Sequence, residues 1–157
     1  MKTSLTILLL NCLLGAALVQ IPLAQEQGVA VVVNPKNPVS DITKSELRKI
    51  FAGEKRTWPG GLSIKLIVRV PGSYERIVLL RLLRMSESEY KQHWISQVFH
   101  GEAQAEPVAL FSNGMQKEAI AAFPGAIALV ALGDVKPGMK VLKVDGLLPD
   151  AAAYPLH

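Results

Sequence analysis

Val29-Ala30-Val31-Val32-Val33 is a run of five residues with no polar side chain, and four of them are β-branched. A strand with one wet face alternates apolar and polar residues. A strand that does not alternate has to be covered on both faces. Covering both faces of a sheet requires helices above and below it, so this run predicts an α/β domain. Asn34-Pro35-Lys36-Asn37-Pro38 ends the run, because two prolines so close cannot continue a ladder.

The rest of the chain supplies the helices. Ser40 or Thr43 opens one, and Thr43 with Glu46 forms a capping-box pattern. Leu47, Ile50 and Phe51 make its apolar stripe, and Gly53 is its stop. Glu54 to Gly61 is a polar loop around Trp58. A strand follows from Ile64, then a helix from Ser73 to Arg84 whose Ile77, Val78, Leu79, Leu80, Leu82 and Leu83 imply heavy burial. A further helix runs from Ser86 to Phe99, with a second capping box at Ser86 and Glu89. Tyr90, Trp94 and Val98 recur on it every four residues. Ala105 to Phe111 reads as a short strand, and Ser112 to Ala122 as a helix. Ala126 to Leu132 and Met139 to Val144 read as strands. Residues 149–157 show no periodicity. The order β-α-β-α-α-β-α-β-β predicts one mixed, mostly parallel sheet flanked by helices.

The N-terminus is read separately. Lys2, the apolar run from Leu5 to Val19 and the small residues before Gln25 follow the plan of a secretory signal peptide. Residues 1–24 are its expected extent, 25–148 the α/β domain and 149–157 a tail. An uncleaved anchor helix is the competing reading; Asn11 and the small residues favour cleavage. Cys12 is the sole cysteine, and Asn11 before it argues against lipidation. The exported chain is therefore expected to hold no disulfide or thiolate metal site, and no stable membrane span. It then depends on a hydrophobic core, for which about 133 residues suffice.

Without Lys2 there are 16 basic and 13 acidic residues. Residues 36–91 hold twelve Lys/Arg against six Asp/Glu, a bias that suits an anionic ligand. Export argues against nucleic acid. HExxH, GxSxG, Walker and GxGxxG patterns are all absent, and His93 and His100 have no carboxylate at ligand spacing. No enzyme, cofactor or metal site is expected.

The one local pattern that points to a ligand is Arg69-Val70-Pro71-Gly72-Ser73-Tyr74. A buried strand ends on Arg69, Gly72 frees the turn, and Ser73 opens a helix. A guanidinium fork, a hydroxyl and the outward N–H of Tyr74 at a helix start suit a tetrahedral oxyanion. Glu75 opposes this, because a carboxylate in the first turn can itself take the anion's place.

Several stretches resemble the phosphate-binding proteins of bacterial phosphate ABC transporters. These are Val31 to Val39, Ile42 to Gly53 with its T-x-x-E-L-x-x-I-F-x-G pattern, Trp58 with Gly60-Gly61, Phe123 to Ala128 and Val141 to Gly146. The resemblance implies a periplasmic, non-catalytic protein with the type II periplasmic binding fold, in which two lobes close on phosphate. The family's cleft motif reads like R-x-D-G-S-G-T. Arg69, Gly72 and Ser73 match it, while Pro71, Tyr74 and Glu75 replace its aspartate, glycine and threonine. The length expects one lobe. On this resemblance the chain binds phosphate or another small anion and partners an ABC transporter permease. The alternative is a degenerate lobe that serves as an interaction or sensor-accessory module of the envelope.

Overall fold

The computed structural model describes residues 28–157; the expected signal peptide lies outside the described residues. Six strands form one sheet: β1 (Val29–Val33), β2 (Asp41–Ile42), β3 (Lys65–Arg69), β4 (Val108–Leu110), β5 (Ala126–Ala131) and β6 (Lys140–Val144), in the order β2-β6-β1-β5-β3-β4. Helices α1 (Lys44–Phe51), α2 (Tyr74–Leu83), α3 (Glu87–Phe99) and α4 (Asn113–Ala122) flank it.

The sheet is mixed and mostly parallel. β3 pairs parallel with β4 and β5, and β2 parallel with β6. β1 runs against both of its neighbours, β5 and β6. Its five residues are fully buried, as the unbroken apolar run requires. The run reports covered faces and carries no information on direction, so an antiparallel strand at the centre of the sheet satisfies it equally well.

The two faces have different cores. Val29, Val31 and Val33 point into the larger one, with Leu47, Ile50 and Phe51 of α1, Val78, Leu79 and Leu83 of α2, and Tyr90 and Trp94 of α3. Ala30, Val32, Ala128 and Val130 point into the smaller one, which Ile120 of α4 closes. Alternation along β1 thus splits its side chains between two helical layers.

The four helix starts follow their capping residues. Thr43 and Ser86 complete both capping boxes, and Ser73 and Ser112 accept from the N–H groups of Arg76 and Met115. Elsewhere the pattern is only partly followed. Tyr90 and Trp94 are buried on α3, but Ile95, Val98 and Phe99 face outward. Ile77 of α2 is exposed as well, because among the described residues none covers that side of the helix. β4 is shorter than the expected strand, and β2, two residues long, gave no periodicity to read.

The segment after β6 packs back onto the domain. Tyr154 and Leu156 enter the larger core, Val29 N–H donates to Leu156 O, and Arg81 Nη1 donates to His157 O at 2.8 Å. Burial pushes the Tyr154 phenol from 10.0 up to about 12. A phenol whose folded-state value is raised stabilises the fold fully below about pH 10 and loses that contribution as pH rises toward 12. Urea denaturation between pH 9 and 12 should therefore show falling stability, with a shallower fall in Tyr154→Phe.

Candidate functional site

β3 ends at Arg69, and Val70 N–H extends the ladder by one bond to Leu110 O at 3.2 Å. The chain then has to reverse into α2 within three residues. Gly72 takes φ +86°, a left-handed conformation that side chains resist. A Cβ there would touch nothing within 4 Å, so the backbone conformation, and not lack of room, calls for glycine. Ser73 N–H donates to Val70 O at 3.3 Å and closes the turn.

Ser73 then starts the helix. Its hydroxyl donates to Val70 O at 2.9 Å and accepts from Arg76 N–H at 3.2 Å. The N–H groups of Tyr74 and Glu75 come before the first intrahelical bond and point out of the helix end. Arg69, Gly72, Ser73 and Tyr74 thus share one corner at the carboxyl end of β3. In open α/β sheets the carboxyl ends of the strands are where ligands sit.

Glu75 also belongs to this corner. It is 5% exposed, and its Oε2 lies 3.9 Å from Arg69 Nε. Arg69 Nη1 donates to Leu110 O at 3.3 Å, while its Nε is buried without a hydrogen-bond partner. A carboxylate in the first turn of α2 meets the positive end of the helix and the guanidinium together. It supplies from within the chain the charge that an oxyanion would bring. A void of about 10 Å³ lies beside Arg69 and Glu75, walled by Phe51, Leu79 and Leu129; it has room for no more than a water, and Gly72, Ser73 and Tyr74 take no part in it.

Two neighbouring loops complete this end of the sheet. Asn113 Nδ2 donates to Asp134 Oδ2, which ties the start of α4 to the turn after β5. Sequence reasoning did not find this pair, because its residues lie 21 positions apart and neither has a motif around it. A separate groove of about 440 Å³ opens at the start of β3, between Lys55, Arg56, Ile64, Leu66, Trp94 and Pro107. It contains none of the four corner residues. His93 Nε2 lies 2.8 Å from Ala52 O, just past the end of α1, and His100 Nδ1 lies 2.9 Å from Ser96 O within its own helix end, so both rings are engaged by backbone carbonyls.

Residues 17–152 match the model of the PBP superfamily domain. The chain belongs to the PBP superfamily. It is 32% identical over 127 residues to the phosphate-binding protein PstS of Bacillus subtilis (strain 168), an alignment covering 79% of this chain and 38% of that protein. In fold, this PBP domain is similar to an ABC-type phosphate transport receptor from Vibrio cholerae, with a TM-score of 0.64 at 22% identity. It is also similar to PstS from Borrelia burgdorferi, with a TM-score of 0.59 at 21% identity. These matches cover 78% of this chain and 48% and 49% of the two solved chains. The chain therefore spans about half the length of the solved relatives, and less of the Bacillus protein. The shared fold places the family's lobe architecture on this chain. Among the described residues no helix is long and apolar enough to cross a membrane.

Proposed function

We infer that this chain is a non-enzymatic solute-binding lobe of the bacterial envelope, exported to the periplasm, whose ligand is phosphate or another small oxyanion. The observation that carries this reading is the corner itself: Arg69, the Gly72 turn, Ser73 and the open N–H groups of Tyr74 and Glu75 converge at the carboxyl end of β3. The likeness to phosphate-binding relatives supports the ligand class. An ABC transporter permease or an envelope sensor is the partner this reading implies.

Glu75 sets the affinity. A ligand anion must enter against a buried carboxylate 3.9 Å from the arginine it needs. Binding is therefore weak, in the millimolar range, and each incoming oxyanion competes with Glu75 for Arg69. Calorimetric titration with phosphate tests this. Saturable heat in the parent chain should vanish in Arg69→Ala. The absence of heat at millimolar phosphate would remove the ligand and leave the alternative, a lobe that works through protein contacts alone.

A further inference from the structure

We propose that the free edge of β4 is a homodimer interface, formed by antiparallel pairing with β4 of a second copy of this chain. β4 closes one side of the sheet and pairs with β3 alone. Val70 N–H donates to Leu110 O, so the backbone groups of Leu110 and, two residues back, Val108 face β3. Alternation then turns the backbone groups of Pro107, Ala109 and Phe111 outward, away from the sheet. Apolar side chains border this edge. Phe111 is 78% exposed, Val108 48% and Met115 44%. An apolar edge with unpaired backbone groups, even a short one, is a template for another strand. The opposite edge, β2, is only two residues long and follows Pro35 and Pro38.

The occupant is a second copy because the edge complements itself. A two-fold axis at Ala109 sets Val108 against Leu110 of the other copy, Pro107 against Phe111, and Glu106 against Ser112. Ser112 is the N-cap of α4, and α4 carries no acidic residue in its first turn. The other three helices each have one or two: Glu46, Glu75, and Glu87 with Glu89. In this register Glu106 of each copy supplies the missing negative charge to the helix start of the other. Ala109 N–H donates to Ala109 O across the axis, and Phe111 N–H donates to Pro107 O, each twice by symmetry. Pro107 has no N–H, so the carbonyl of Phe111 gains no bond.

Sedimentation equilibrium of the full-length chain, from micromolar to millimolar concentration, tests this. The parent chain should dimerise, and Ala109→Pro should abolish the dimer while leaving the circular dichroism spectrum unchanged. Glu106→Lys and Ser112→Asp should each weaken the dimer by about three- to thirtyfold. Aspartate caps a helix as well as serine, so the second variant keeps α4 intact. The double variant, Glu106→Lys with Ser112→Asp, should restore the affinity, since the swapped charges again attract. A parent chain that stays monomeric at millimolar concentration would overturn the proposal. So would a dimer that survives Ala109→Pro, which would place the contact on another surface, or a double variant no tighter than the single ones.

Discussion

Gly125→Ala should cost at least about 3 kcal/mol or abolish cooperative folding. A Cβ at this position would lie 1.8 Å from the carbonyl oxygen of Ser63, a backbone atom that no side-chain rotation can move aside. The two segments would have to part by more than an ångström. They are pinned where they are: Gly125 O accepts from Lys65 N–H at 2.9 Å and from Trp58 Nε1 at 3.0 Å. Trp58 is buried, and the same carbonyl thus anchors the loop before β3 and sets the register at which β3 meets β5. Separation breaks both bonds and strands the indole N–H inside the core. Gly133→Ala is the control, because a Cβ there meets nothing within 4 Å; it should change stability by less than about 0.5 kcal/mol. Urea denaturation of the two variants checks the contrast. Equal midpoints would mean that the Ser63–Gly125 approach is not fixed.

Arg76→Ala should cost about 2–4 kcal/mol. Arg76 lies in the first turn of α2, is 6% exposed, and binds Glu87 through two bonds: Nε to Oε2 at 3.1 Å and Nη2 to Oε1 at 2.5 Å. Its guanidinium carbon sits 3.9 Å from the centre of the Tyr90 ring. Glu87 and Tyr90 both belong to α3, so one side chain fastens α2 to α3 by a planar fork and by stacking. Burial works against the charge, yet Glu87 and Tyr90 together outweigh it and hold the guanidinium above its ordinary value. Arg76→Lys should recover only part of the loss, since an ammonium cannot make the fork or the stack. Denaturation midpoints decide this too. A lysine variant equal to the parent would reduce the clamp to a simple point charge.

The features legible in the sequence are those written locally. Thr43 with Glu46, Ser73, Ser86 with Glu89, and Ser112 each fix a helix start within three residues of chain, and all four starts fall where those residues place them. The arginine corner was legible for the same reason: strand end, glycine turn and serine cap are consecutive. Non-local features were not. The direction of β1 depends on strands nearly a hundred residues away. The exposure of Ile95, Val98 and Phe99 depends on which of the described segments, distant in the chain, pack against α3. The Trp58–Gly125 bond spans 67 residues and leaves no periodic trace. Tyr154 and Leu156 enter the core from a segment with no pattern, because two isolated apolar residues make no stripe.

The account turns on Glu75 as the chain's own substitute for a bound oxyanion. Calorimetric titration of phosphate into the parent chain and into Glu75→Gln tests this most directly. Glutamine keeps the shape and removes the charge beside Arg69, so phosphate should bind the variant at least about tenfold more tightly. Equal affinity in the two proteins, or no binding in either, would contradict the account.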